Sequence, residues 1–370
     1  MNTRSFWAPQ LKFLLLSFSA LDCRKSERAT WVNFSSTVSR RTMASMGQGQ
    51  ELKKRNDAPI EIQERGEIFF FYRPKVNKEE AHSPDDVQRL YMVLRPESGE
   101  KPVEQKQCPD SGKEGAKHGL SPSSSHHNEE EPRIKEHPEG GHGAKEVNIE
   151  KEPLLRLIIL GRKSLPDPGE KSKPFWGFVE LVTTNIHDVK DVLKEQEYDT
   201  ATRGHRHRPR ARALGEGIYR ILRHKYSDKR MHTHLIYKLE LPPKDREGEP
   251  QEVLNVEREG SFIIQIKNPE IAGGRRYYFP GLQSKRKAVY PAHLQALFGN
   301  KRWHPADPPD FLNYEGCELL LISASDNIEE ELGLELRPET EEPTPECSDL
   351  VKTFGPDVAP IKPLFEGTWT

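Results

Sequence analysis

Five arginines spaced mostly two residues apart are the part of this sequence that most clearly points to chemistry. They are Arg203, Arg206, Arg208, Arg210 and Arg212. A guanidinium group binds phosphate or carboxylate oxygens through two parallel hydrogen bonds, so arginines without acidic neighbours in the sequence indicate an anionic ligand. The segment contains a proline and lacks hydrophobic periodicity, which predicts a loop. Pairing with an acidic segment of the same chain and simple solvation are the alternatives.

A second basic segment spans residues 271–302, with seven Lys or Arg and no acidic residue. Its candidate anion-binding residues are Arg275, Arg276, Lys285, Arg286 and Lys287. Three aromatic residues at 277–279 adjoin the first two arginines. Proteins that bind single-stranded nucleic acid use this mixture of basic and aromatic side chains. Convergence of the two basic segments on one face would favour such a site.

The stretch MHTHLIYKLELP alternates polar and apolar residues, which predicts a strand with His232 and His234 on its polar face. Two imidazoles at positions i and i+2 can share a divalent metal ion. A zinc site usually needs a third protein ligand, and the spacing supplies none. The sequence therefore predicts a hydrogen-bonded or solvated pair, with no metal and no cofactor.

The proline-rich stretch RWHPADPPDFLNYEG contains His304 and Asp307 beside aromatic residues. Rigid loops of this kind often cover clefts, so an enzyme with a cleft lined by His232, His234, His304 and Asp307 is a second hypothesis. A proline-braced connection with solvated carboxylates is the alternative interpretation.

Several familiar sites are excluded by spacing. ILGRKSLPDP has Arg162 where a phosphate-binding loop needs glycine, and no GxSxG elbow occurs. GEGIYR lacks the third glycine of a dinucleotide fingerprint, and we expect a turn with positive φ at Gly215 or Gly217. The four cysteines form no CxxC pair. That pattern favours a reducing compartment, with Cys317 as a small buried hydrophobe.

The candidate site residues named above must be held in place by secondary structure, and the sequence predicts that most of it is β-strand. The run from Ile68 to Tyr72 predicts a strand buried on both faces. Further strands are predicted in LYMVL, PLLRLIIL, FWGFVELV, GIYRILRH, MHTHLIYKLELP, SFIIQIKNP and CELLLISA. Helices are predicted after Asn185 and between Pro291 and Gly299, and DNIEEELG adds a possible turn. The fold class is α+β, mostly antiparallel, a strand-rich single domain with two or three helices and a disordered insertion.

Composition sets the domain boundaries. The chain has 30 prolines, 31% charged residues and a net charge of −2, so attraction to a charged partner must come from local segregation of charge. Residues 97–150, poor in large hydrophobic residues, predict a disordered insertion. The single domain then spans 60–96 plus 151–333, and an acidic, proline-rich disordered tail covers 334–370.

Residues 1–59 predict a leader that is transit-like, upstream or disordered. Its apolar run of about ten residues is too short to span a bilayer. The following Ser- and Arg-rich stretch is typical of a transit peptide, which would place the protein in a chloroplast or mitochondrion. Translation from near Met43 would instead leave it in the cytoplasm or nucleus. Secretion is the least favoured of the three alternatives.

The motifs FFFYRPKV, FWGFVE, GEGIY, HTHLIYKLELP and HPADPPDFLNYEG resemble those of a family of uncharacterised plant proteins with bacterial relatives. Members of that family often carry an automatic BTB/POZ domain label. The resemblance covers roughly residues 66–325 and implies no activity.

From the residues, we expect a non-enzymatic binding module for an anionic partner, with nucleic acid as the first choice and a phosphate-bearing ligand as the broader class. The enzyme hypothesis is the second. The third is a protein-interaction adaptor that uses the acidic segments, since residues 326–346 hold nine acidic residues and one basic residue.

Overall fold

The computed structural model describes residues 49–55, 60–97, 99–104, 144–149, 151–170, 173–225, 231–243, 248–271, 282–283, 286–338, 348–355 and 360–369. The strands are β1 (Gln50–Lys53), β2 (Ile60–Pro74), β3 (Val87–Pro96), β4 (Glu100–Glu104), β5 (Ala144–Asn148), β6 (Leu155–Leu160), β7 (Phe175–Thr183), β8 (Gln196–Thr200), β9 (Gly204–Arg208), β10 (Arg212–Lys225), β11 (Met231–Leu241), β12 (Glu259–Lys267), β13 (Trp303–Pro305), β14 (Glu318–Ser325) and β15 (Leu334–Arg337). The helices are α1 (Ile186–Leu193), α2 (Glu249–Val253), α3 (Ala292–Phe298), α4 (Ile328–Leu332), α5 (Asp349–Phe354) and α6 (Lys362–Glu366).

Eight strands form a closed antiparallel barrel in the order β11–β10–β2–β3–β6–β7–β14–β12. Pairing of β12 with β11 completes the ring. β10, β11 and β12 are consecutive neighbours, as the predicted antiparallel meander requires. The prediction of a strand-rich, antiparallel α+β fold is confirmed, and closure into a barrel is a further finding.

β2 shows how the sequence builds the barrel wall. Ile68, Phe70 and Tyr72 belong to the cluster that fills the barrel, whereas Phe69 and Phe71 belong to a second cluster on the outer surface. All five are fully buried. A strand covered on both faces reads as a continuous apolar run, as predicted.

The outer cluster is covered by short helices at the C-terminal end of the chain. Phe354 of α5 makes edge-on contacts with Phe69 at 5.4 Å and with Phe71 at 5.7 Å between ring centroids. Leu350 and Leu364 are buried in the same cluster. A disordered tail over 334–370 is therefore not what the described part of that stretch shows, because a few large apolar residues suffice to anchor α5 and α6.

Two other boundaries also differ from prediction in their described parts. β1, within the expected leader, pairs with β15 from Gln50 to Lys53. β4 and β5, at the two ends of the expected insertion 97–150, pair with each other. Val147 and Ile149 are buried in the barrel cluster. Residues 105–143 lie outside the described part.

Local signals fix the two predicted helices. The Asn185 side chain accepts a hydrogen bond from the His187 amide and begins α1. α3 begins after Pro291 and ends at Gly299, whose φ of 51° suits a residue without a side chain. The last helical turn in DNIEEELG forms as α4. The helices α2, α5 and α6 were missed because each has only five or six residues.

The positive φ expected at Gly215 or Gly217 does not occur, since both lie inside β10 in ordinary strand conformation. The reason for glycine at 217 is proximity. A Cβ atom there would come within 2.1 Å of the Lys238 carbonyl oxygen.

Among the described helices, none combines the length and apolar character needed to cross a bilayer.

One ionic group lies inside the barrel. Arg156 is fully buried, and its Nη1 and Nη2 atoms donate to the two carboxylate oxygens of Glu64 at 2.5 and 3.0 Å. Its Nε atom donates to Asn313 of the proline-rich loop, and Tyr219 donates to Glu64 at 2.8 Å. Burial alone would lower the pKa of Arg156, but Glu64 outweighs it and holds the pKa above its usual value.

Cys317 is buried as predicted, and burial raises the pKa of its thiol to about 12.

Candidate anion-binding site

Part of the first arginine segment is a β-hairpin rather than the predicted loop, because Arg206 and Arg208 lie on β9, whereas residues 209–211 are without regular structure as predicted. β8 and β9 pair from Gln196–Arg208 to Thr200–Gly204. The turn is closed by Thr200, whose hydroxyl donates to the Gly204 carbonyl and accepts from the Arg203 amide. Gly204 has a φ of 64°, which suits glycine at this tight reversal. Turn chemistry rather than hydrophobic periodicity specifies the hairpin, which is why the pattern suggested a loop.

Basic and aromatic side chains share one face of the hairpin. Directly paired residues of antiparallel strands point to the same side. Tyr198 is paired with Arg206, and Gln196 with Arg208. The Arg208 guanidinium lies 5.5 Å from the centre of the Tyr198 ring and donates to Gln196 Oε1 at 2.9 Å. We call Tyr198, Arg206 and Arg208 the arginine face.

The acidic residues of the hairpin lie on the opposite face. Glu197 is paired with His207, and Asp199 with His205. His205 Nδ1 lies 3.4 Å from Asp199, and His207 Nδ1 lies 2.7 Å from Glu79 of the neighbouring loop. The carboxylates of the hairpin therefore lie beside histidines. The arginine face carries no acidic residue of β8 or β9.

Arg73 fixes the base of the hairpin. It is buried at the end of β2, where its guanidinium donates to the carbonyls of Val192 at 2.5 Å, Lys194 at 3.1 Å and Pro209. Its Nε atom donates to the Tyr91 hydroxyl at 3.0 Å. Burial lowers the pKa of Arg73. Within the described residues it has no carboxylate partner, so the base of the hairpin carries an uncompensated positive charge.

The five predicted arginines divide into three kinds. Arg212 is buried and donates to the carbonyls of Arg210 and Glu79 at 2.7 and 2.5 Å, so it anchors the segment. Burial lowers the pKa of Arg212. Arg208 is held against the tyrosine ring. Arg203 and Arg210 are exposed, Arg206 is half-buried, and none of these three forms an ion pair with a described carboxylate.

The second basic segment is engaged differently. Arg286 is ion-paired with Glu180 at 2.5 Å and lies over the Phe178 ring. Lys287 donates to the Pro269 carbonyl at 3.1 Å. Arg275, Arg276 and Lys285 lie outside the described residues. The contacts of the described pair involve β7 and the end of β12, whereas the hairpin contacts β2, the following loop and the end of α1.

The predicted cleft residues fall into two groups. His232 and His234 project from the outer face of β11, where His234 is fully buried rather than solvated. This burial arises because α4 packs over the outer surface there and brings Glu331 within 3.7 Å of His234. Burial lowers the pKa of His234 to about 3.

The other two cleft residues belong to the proline-rich loop, which packs over one end of the barrel. His304 Nδ1 lies 2.7 Å from the Pro305 carbonyl oxygen. Asp307 accepts two hydrogen bonds from Arg223, both at 2.8 Å, and one from Gln63 at 2.7 Å. Burial raises the pKa of Asp307, but these hydrogen bonds outweigh it and hold the pKa below its usual value. The carboxylate is thus already committed to bracing the loop.

A groove of about 500 Å³ lies against α4 and β15, and none of the predicted site residues lines it. Its acidic lining includes Glu259, Asp326, Glu329, Glu330 and Glu335. The acidic segment 326–346 therefore contributes to a surface feature, although Lys238 and Lys54 pair with Glu259 and Glu335.

Arg73 is the residue supporting the candidate site that the sequence did not identify. Arg73 is a single basic residue at the end of the apolar run FFFYRP. A basic residue in such a position usually only marks the end of a strand. A basic residue that follows a doubly buried strand is the available signal, because its guanidinium must find partners near the core.

No family model matches the chain, and neither a curated protein nor a solved structure does. The resemblance to the plant family with a BTB/POZ label stays a prediction from the motifs.

Proposed function

We propose that this protein is a non-enzymatic binding module that holds nucleic acid by its phosphates on the arginine face of the β8–β9 hairpin. One observation carries the proposal. The hairpin arginines have no described carboxylate partner, whereas the acidic residues of the same hairpin lie on its other face opposite histidines. Segregation of this kind creates a local positive surface on a chain whose net charge is −2.

The chemistry of the face favours a single strand. Arg206 on this face, together with Arg203 in the turn and Arg210 after β9, supplies guanidinium groups that match phosphate oxygens bidentately. Tyr198 adds an aromatic ring on which a base can stack, and such stacking contributes about 1–3 kcal/mol per base. The ring is already ordered by Arg208, so little side-chain freedom is lost on binding.

The state of the alternative site residues also supports a binding role. Asp307 is held by Arg223 and Gln63, and His234 is buried beneath α4. A general base must reach a substrate proton within hydrogen-bonding distance. Groups that brace the fold are poorly suited to that task.

The test is a salt titration of binding to mixed-sequence single-stranded RNA and DNA. The wild type is compared with a triple variant, Arg203→Gln, Arg206→Gln and Arg210→Gln, which removes no described ion pair. Each phosphate contact on a single strand contributes about 0.7 to the slope of log affinity against log salt. We expect the triple variant to lose up to about two units of slope.

Arg286→Gln is the matched control, because Arg286 already has a carboxylate partner. We expect its slope to equal that of the wild type. The proposal fails if the wild type does not bind either strand at low salt. It also fails if the triple variant keeps the full slope while remaining folded.

A further inference from the structure

The ring of Tyr198 is covered on one side and open on the side towards the hairpin turn. The Arg208 guanidinium lies over the ring, 5.5 Å from its centre, and donates to Gln196 at 2.9 Å. Towards the turn, the next position of β9 on the same face is Gly204, which is paired with Thr200. A Cβ atom added to Gly204 would meet no described atom within 4 Å apart from its own chain neighbours. The arginine face therefore has free space beside its aromatic ring.

Arg206 lies next to this free space. It is paired directly with Tyr198, and the Cβ atoms of directly opposed residues on antiparallel strands are about 4.5–5.5 Å apart. The Arg206 side chain is half-buried and has no hydrogen-bond or ion-pair partner among the described residues. Its guanidinium donors are therefore available at the edge of any flat group that stacks on the ring.

An open aromatic ring beside a guanidinium group matches the chemistry of guanine. Every base has a flat face that stacks on an aromatic side chain. Guanine presents two acceptors, O6 and N7, on one edge, and arginine donates to both at once. Adenine presents one acceptor and one donor on that edge, and uracil presents a single acceptor. In a single strand this edge is accessible to a protein, so the arrangement favours guanine over the other bases.

We propose that the arginine face binds a guanine base of a single strand, stacked on the open side of Tyr198, with Arg206 donating to its O6 and N7 atoms. This inference rests on the proposed function, because it assigns a base to the site at which the strand is held. Arg203 in the turn and Arg210 after β9 make the phosphate contacts. Charge then sets the affinity for any strand, and the Tyr198–Arg206 pair sets the preference among sequences.

The experiment measures the affinity of the full chain for three short RNA strands by fluorescence anisotropy. Each strand consists of uridines with isolated purines at the same positions, so that no guanine quadruplex forms. The purine is guanosine, adenosine or 7-deazaguanosine, which has a C–H group in place of N7. We expect guanosine to be bound about tenfold more tightly than adenosine. The 7-deazaguanosine strand should lose most of this advantage, because one of the two acceptors is missing.

Arg206→Gln is the variant that tests the reading residue. The ratio of guanosine to adenosine affinity should fall to about one or reverse, because a glutamine side chain pairs with adenine. Arg203→Gln is the matched control, since it removes the same charge from the exposed turn. It should weaken binding to both strands equally and leave the ratio unchanged. The ratio separates a base contact from a general loss of charge.

The outcomes distinguish this inference from the proposed function. If the wild type binds all three strands with equal affinity, the guanine assignment is overturned while phosphate binding stands. If it binds none of them at low salt, both proposals fail. The guanine assignment also fails if the folded Arg206→Gln variant keeps the preference for guanosine. The 7-deazaguanosine strand tests it on the wild type, so a variant that does not fold leaves the result intact.

Discussion

Arginine is used in opposite ways inside the barrel and at the hairpin. Arg156 is buried with both carboxylate oxygens of Glu64 within 3.0 Å, so its charge is matched within the chain. Arg73 is equally buried, but its partners are three carbonyls and the Tyr91 hydroxyl. Beyond it, Arg206 has no described carboxylate at all.

The difference in partners appears in the pKa values. Glu64 outweighs the effect of burial and raises the pKa of Arg156, whereas burial lowers the pKa of Arg73. A carboxylate in the same chain makes an arginine structural, since removing either partner leaves an unpaired buried charge. Arg73 is structural through backbone carbonyls instead, whereas Arg206 on the hairpin is half-buried and has neither kind of partner among the described residues.

The largest effect should follow from Glu64→Gln. The change leaves the Arg156 charge unmatched inside the barrel, and breaking a buried ion pair costs about 3–5 kcal/mol. Urea unfolding followed by tryptophan fluorescence measures the loss. The double variant Glu64→Leu with Arg156→Met should recover much of it, because no buried charge is left. Equal instability of both variants would show that the pair is held chiefly by packing.

A middle-sized effect is expected for Arg73→Met. The variant leaves the carbonyls of Val192, Lys194 and Pro209 without their donor, and loss of such partners costs about 1–3 kcal/mol. Hydrogen exchange should accelerate in residues 196–208 more than in the barrel strands.

Arg89→Met is the matched control, because Arg89 is the cross-strand neighbour of Arg73 and is exposed. Its exchange pattern should follow the wild type. If the hairpin is protected from hydrogen exchange equally in Arg73→Met and in the wild type, other contacts hold its base. The contrast with Arg156 would then disappear.

The smallest effect should come from Arg206→Gln. Without a described carboxylate partner, this arginine adds little to the fold, so the free energy of unfolding should change by less than about 0.5 kcal/mol. The measurement is the same urea titration. A loss above about 1 kcal/mol would place Arg206 with the structural arginines and weaken the proposed role of the arginine face.

Local signals made much of the fold predictable. The apolar run from Ile68 to Tyr72 gave a doubly buried strand, and Asn185 and Gly299 marked helix ends that the structure confirms. Closure of the barrel by β11 and β12 was not predictable, because it depends on how twist and register accumulate around the whole sheet. Helices α5 and α6 were missed because each has only a few apolar residues. The importance of these residues is apparent only from their packing in the outer cluster with β2.

The candidate site, like the fold, was predictable only in part. The arginine-rich segment around Arg206 could be identified from the sequence alone, because a high density of basic residues is evident without knowing any contacts. Their arrangement on one face depends on the register of β8 with β9, and the role of Arg73 depends on a contact with Pro209 across more than a hundred residues.

The packing of Phe354 between Phe69 and Phe71 has a consequence for how the protein is made. α5, which covers the outer aromatic residues of β2, is synthesised almost three hundred residues after them. Until α5 has been made, those aromatic residues lack this cover, and exposed apolar surface on a nascent chain invites aggregation.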